Sequence, residues 1–179
     1  MFVKKKFWRK NTLIIICSIL IAGTAGYSAY LQFSKADVKV NEVTATAESD
    51  SNTKTFIEIE ETNAKPVEEE FPLNIGEGEV QIAIHKMSHQ KIEADEKWGF
   101  LPLTQERIKR LIKVVNSGNY EHKSLYLEIL NRWSNGDFSQ ADKDHNAIWR
   151  LQGGSVGEAT GVLSTEEEKA FIEEHFDVD

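Results

Sequence analysis

Apolar and polar positions are arranged in three different ways along this chain, and each predicts a different kind of segment. From Leu13 to Tyr30 the residues are almost wholly apolar, inside a window from Asn11 to Ser34 with no charge. A helix of about 20 such residues crosses a hydrocarbon core of roughly 30 Å, and it satisfies its own backbone hydrogen bonds in lipid. The pattern therefore predicts a single transmembrane helix over residues 13–33. Residues 34–79 show no sustained period. They carry 12 acidic and 4 basic residues with few large apolar groups. Such a segment buries too little surface to offset chain entropy, which predicts a disordered acidic linker. One stretch inside it, Phe56-Ile57-Glu58-Ile59-Glu60, alternates as a strand does and could extend the sheet edge of a partner.

Beyond residue 80 the apolar positions recur at helical spacing. Val80, Ile84 and Met87 share one stripe of a helix expected from about Val80 to Ala94, with Ile82, His85, His89 and Ile92 on the neighbouring one. Thr104 is a suitable N-cap for a second helix, whose stripe is Ile108, Leu111, Ile112 and Val115. Tyr126, Ile129, Leu130 and Trp133 repeat the spacing in a third, and Leu125 and Leu127 make it apolar on several sides, as a central helix is. Ser139 with Asp142 suggests the start of a fourth helix bearing Ala141, His145, Ile148, Trp149 and Gln152. Ser164-Thr165-Glu166-Glu167 is a capping box that opens a last helix with Phe171, Ile172 and Phe176. The expected class is all-α: a transmembrane helix, a disordered tether, and a compact domain of about five short helices over residues 80–179.

Charge gives this arrangement a direction. Lys4, Lys5, Lys6, Arg9 and Lys10 precede the apolar run, and only Lys35 and Lys39 closely follow it. The positive-inside rule makes residues 1–12 a cytoplasmic basic tail and places the C-terminal part outside the cell membrane. A cleavable signal peptide, cut after Ala25 in AGTAG, is the alternative. The uncharged window continues through Tyr27, Tyr30 and Phe33, which suits an uncleaved anchor with interfacial aromatics. The lone cysteine, Cys17, lies within the span, so the exported part has no disulfide and relies on packing. That part holds all 29 acidic residues against 16 basic ones, a net charge of −13. Such a field excludes nucleic acid as a partner. It leaves the bilayer, through residues 13–33, and a membrane or envelope protein.

Candidate chemistry is sparse, and no phosphate-binding loop, nucleophile elbow or zinc-protease signature is present. His85 and His89 are four residues apart, so both rings fall on one helical face and could chelate zinc or copper. A third ligand would come from His122, His145, His175 or an acidic residue. A second group, Arg132, Trp133, Asp137, Asp144, His145 and Trp149, brackets the turn between the third and fourth helices. It reads as an interaction or structural cluster. Asp144 and His145 could pair as acid and base, but Asp137 also suits binding turn amides and His145 suits a buried stripe. No catalytic residue is assigned.

The segments HKMSHQK, KWG and RWSNGDFSQADKDHNAIWRLQGGSVGEATGVLS resemble those of a family of small membrane-anchored proteins from Gram-positive spore-forming bacteria, over about residues 80–179. The resemblance implies an exported location and no catalysis. The sequence thus reads as a single-pass exported helical domain, a non-catalytic protein-interaction or regulatory module of the cell envelope. The alternative is a metal-binding protein or metal-dependent envelope hydrolase using His85 and His89.

Overall fold

The structure is a computed structural model that describes residues 35–46 and 53–179, and residues 36–179 form one compact unit. The basic tail and the transmembrane helix expected before it lie outside the described residues. Among those described, no helix is long and apolar enough to cross a membrane.

Two strands open the unit. β1 (Asp37–Thr46) and β2 (Thr53–Glu61) pair antiparallel, with Val40 opposite Ile59 and Val38 opposite Glu61. Residues two apart on a strand share a face, so Val38, Val40, Ile57 and Ile59 line one side of the hairpin. Lys39 stands opposite Glu60, an opposite-charge pair of the kind that supports a half-solvated sheet. The apolar side packs against α6 (Thr165–His175), where Val38, Ile57 and Ile59 meet Phe171, Ile172 and Phe176. Fully burying each such side chain contributes about 1.5–3 kcal/mol. The chain end returns to the hairpin: β5 (Asp177–Val178) runs parallel to β1, giving a three-stranded sheet in the order β2-β1-β5.

The remaining elements enclose a second, larger core. They are α1 (Val67–Glu70), α2 (Glu77–Ser88), β3 (Ile92–Glu93), α3 (Gln105–Ser117), α4 (Lys123–Ser134), α5 (Ala141–Leu151) and β4 (Gly161–Val162). β3 and β4 pair antiparallel as a two-residue ladder. Tyr126, Ile129, Leu130 and Trp133 of α4 have no exposed surface, as expected of the central helix. Thr104 caps α3 through Oγ1, which accepts from the Arg107 N–H at 3.2 Å, and Ser164 and Glu167 form the capping box of α6. Arg107 ties the two cores together. Its guanidinium is buried and reaches Glu61 at 2.5 Å and Glu70 at 2.9 Å, which draws the end of β2 and α1 onto α3.

The all-α expectation is therefore corrected. The described residues contain six helices and five strands in two sheets, a mixed α/β unit. The segment read as a disordered tether contains the hairpin, and α1 follows it. The physical reason lies in what the hairpin packs against. Its apolar residues are too few to form a core alone, but α6 supplies the other half of one. The strand-like stretch Phe56–Glu60 pairs with β1 of its own chain. The first core helix starts earlier than expected and stops at Ser88, since Ile92 and Glu93 belong to a strand. Ser139 does not cap α5. It donates its backbone N–H and its hydroxyl to Asp137 Oδ1, at 3.2 and 2.7 Å, and Gln140 takes the N-cap position.

Candidate metal centre

α2 and α5 pack against each other and bring three imidazoles together. α2 begins at Glu77, with Glu79 accepting the Gly76 N–H at 2.7 Å, and this cap sets the phase of the helix. Its last turn carries His85. His89 follows as the C-cap residue, still helical at φ −55°, so the rings share one face and meet edge to face with centroids 4.8 Å apart. His145 comes from the buried side of α5, next to Asp144 and Ile148. Its ring centroid is 4.5 Å from His85 and 5.5 Å from His89. One ring nitrogen from each of His85, His89 and His145 lies within 4.8 Å of the others.

Nδ1 of each ring lies against an oxygen of the protein. His89 Nδ1 lies 2.7 Å from the carbonyl of Gly99. A carbonyl only accepts, so Nδ1 carries the proton and Nε2 keeps its lone pair. Gly99 presents that carbonyl from a backbone with φ +77°, a conformation glycine adopts without strain. His145 Nδ1 lies 3.1 Å from Asn146 Oδ1. The orientation of the Asn146 amide is set by Ala159, whose N–H donates to Oδ1 at 2.8 Å and whose carbonyl accepts from Nδ2 at 2.9 Å. His145 Nδ1 is therefore also the donor, and its Nε2 is buried without a hydrogen-bond partner. Nδ1 of His85 donates to the side-chain oxygen of Gln152. An oxygen accepting from Nδ1–H is what orients an imidazole for ligation through Nε2.

Burial keeps these rings neutral. It holds His89 down at about 3 and His145 at about 4, against the hydrogen bonds to Gly99 and Asn146, and the neighbouring histidines and Lys97 push the same way. Burial also lowers His85, partly offset by Gln152. Lys97 donates to the His89 carbonyl at 3.1 Å and sits 4.4 Å over the Phe171 ring. Burial lowers its ammonium to about 8, against the pull of Glu93 and Glu174. A neutral imidazole with a free nitrogen is the form that binds zinc or copper. The nitrogens must draw together by roughly an ångström to share one ion, within the reach of ring rotation.

The other histidines stand apart. His122 Nδ1 is 3.1 Å from Glu77, on the carboxylate oxygen that also accepts from the Tyr126 hydroxyl at 2.7 Å. His175 stacks on Phe100 at 4.0 Å, and Phe100 meets the edge of His89 at 6.0 Å. Among the described residues the group holds no cysteine or carboxylate. Of the remaining candidates, Asp144 gives one oxygen to Arg132 and the other to Trp133 Nε1 at 3.0 Å. Both partners hold it as a structural anion. Trp133 is fully buried, Asp137 binds its own turn, and Trp149 Nε1 donates to the Val156 carbonyl at 2.8 Å.

Sequence spacing pointed to His85 and His89 and offered His145 as one of several third ligands. The anchors Gly99, Asn146 and Gln152 were not identified. Gln152 carried a signal, because it lies seven residues after His145 and so on the same stripe of α5. Gly99 carried none, since a carbonyl contact is invisible in a residue type.

Residues 84–173, half of the chain, match the model of a Family of unknown function (DUF6241). The chain belongs to this family. His85, His89 and His145 all fall within the DUF6241 segment, whereas β1, β2 and β5 lie outside it. No curated protein matches the chain, and no solved structure does.

Proposed function

We propose that this DUF6241 protein is a membrane-anchored, exported metal-binding protein that holds zinc or copper at His85, His89 and His145. One observation carries the reading. Each ring has one nitrogen committed to an oxygen of the protein, and a nitrogen of each ring converges with the other two. A buried His145 Nε2 with no partner is costly unless something occupies it. A bound ion would supply that partner and would cross-link α2 to α5. The exported location is supported by the cation cluster before Leu13, and the acidic unit would attract cations to its surface.

The test is the metal content of the full chain purified in detergent. Wild-type protein should retain zinc or copper in equimolar amount after gel filtration, and the double variant His89→Ala, His145→Ala should lose it while keeping its circular dichroism. Equal metal in the two proteins, or none in either after metal is supplied, rejects the site.

A further inference from the structure

Four observations leave one coordination position open and place a cavity beside one of the three rings. First, each of the three rings has its Nδ1 engaged, so each can give an ion one nitrogen and no more. Second, among the described residues no fourth histidine, cysteine or carboxylate joins the group. A zinc-like ion takes four ligands, so one must come from outside. Third, the three rings are not equally enclosed. His89 and His145 are buried, whereas His85 forms part of the wall of a cavity of about 450 Å³. Fourth, the cavity wall has a definite chemistry. Gly78, Gln81, Ile82, Lys86, Trp98 and Gln152 line it with His85, and among the described residues no acidic one does.

That last property is unusual for this surface. The part of the chain after the apolar run carries 29 acidic residues against 16 basic ones. Lys86 makes no ion pair among the described residues, and its stem lies against Gly99, so a Cβ there would sit 3.0 Å from its Cε. The ammonium is thus held near the residue that anchors His89. Trp98 and Ile82 are exposed apolar groups on the same wall. Glu96 is turned to Trp98, whose Nε1 donates to it at 3.0 Å, which steadies the indole.

We infer that this cavity opens past His85 onto the ion and binds a small organic carboxylate, its oxygen on the fourth position of the metal, its charge shared with Lys86, and its apolar body against Trp98 and Ile82. A cavity of this volume lies in the range of small-molecule sites, about 300–1,000 Å³, and combines apolar walls with few polar groups in the usual way. The inference rests on the metal-binding reading of His85, His89 and His145.

Cobalt(II) reports on both. The full chain in detergent is loaded with Co²⁺, and its visible absorption is followed as acetate, phenylacetate, phosphate or chloride is added. Phenylacetate should change the band intensities at the lowest concentration, acetate at a higher one, and phosphate and chloride only weakly. Lys86→Gln and Trp98→Ala should each weaken phenylacetate on the order of tenfold, the effect of one charge-assisted or aromatic contact, while Co²⁺ affinity stays unchanged. A Co²⁺ spectrum that no carboxylate alters overturns the inference and leaves the metal site standing. A response that is the same in both variants, or equally strong to phosphate, removes the cavity as its source and also overturns it. Failure to bind Co²⁺ at all overturns the metal site first.

Discussion

Lys91 and Glu168 form a buried ion pair at 2.5 Å, with side chains 2% and 7% exposed. Lys91 Nζ also donates to the Ile57 carbonyl at 2.8 Å and lies 4.1 Å over the Phe138 ring, while Glu168 accepts from Gln90 Nε2 at 2.9 Å. One ammonium thus joins β2, α6 and the helical core. Burial lowers the Lys91 pKa against the pull of Glu168, and burial likewise raises that of Glu168 against Lys91. Each charge is tolerated only because the other is present.

Removing one partner of such a pair leaves a buried charge and costs about 3–5 kcal/mol. Glu168→Gln should therefore destabilise strongly in urea unfolding. Adding Lys91→Met to it should restore most of the loss, to within about 1–2 kcal/mol of wild type, since the orphaned charge is gone. If the two substitutions simply add, the pair is not coupled and the sheet is held by its apolar face alone.

Much of the helical layout was legible because it rests on local rules. Thr104 and Ser164 cap their helices as their spacing predicts, and the stripe ending at Trp133 is buried. The hairpin was not legible because its stability is non-local. Val38, Ile57 and Ile59 sit among acidic and hydroxyl residues, and only contact with Phe171, Ile172 and Phe176, more than a hundred residues away, makes them a core. Lys91 illustrates the same limit, since a lysine inside the helix expected over Val80 to Ala94 reads as solvated until Glu168 is placed beside it. At the candidate metal centre, helical spacing found the pair on α2, but only packing could select His145 over His122 and His175.

Trp133 tests the central position of α4. It has no exposed surface, and Nε1 donates to Asp144 at 3.0 Å. Trp133→Ala opens a cavity and should cost about 3–5 kcal/mol. Trp133→Phe keeps most of the volume but leaves Asp144 without one donor, which should cost about 1–3 kcal/mol. Thermal unfolding of both variants checks the order. A wild-type melting temperature for Trp133→Ala would mean that the indole faces solvent.

Glu77 gives the unit a pH dependence of known sign. Partial burial would raise its pKa, but the backbone N–H groups of Glu121 and His122, the Tyr126 hydroxyl and the His122 ring outweigh this and hold it at about 2. A carboxyl lowered in the folded state contributes stability that is complete above its unfolded value near 4.5 and is lost as pH falls towards about 2. Its side chain is 27% exposed, so solvent screening reduces the contribution to about 1–2 kcal/mol. Glu77→Gln should lower stability by that amount at neutral pH and flatten the acid limb between pH 4.5 and 2. An unchanged acid limb in denaturation series would show that another carboxylate governs it.

Gly99 separates the proposed metal site from the fold that carries it. Its φ of +77° points the carbonyl at His89 Nδ1, and the residue itself is exposed. Gly99→Ala puts a side chain into left-handed backbone, at a cost of about 1–2 kcal/mol, and its Cβ would stand 3.0 Å from Lys86 Cε. The loop can relieve both by turning the peptide, and the carbonyl then leaves His89. The loss of an oxygen that holds a ligating imidazole in place typically lowers metal affinity by about 10–100-fold. Gly99→Ala should therefore lose zinc to a competing chelator much more readily than wild type while its melting temperature, measured without metal, falls by only a few degrees. Wild-type zinc retention would show that the ring of His89 holds its orientation without Gly99, and the convergence of the three imidazoles would then rest on the packing of α2 against α5 alone.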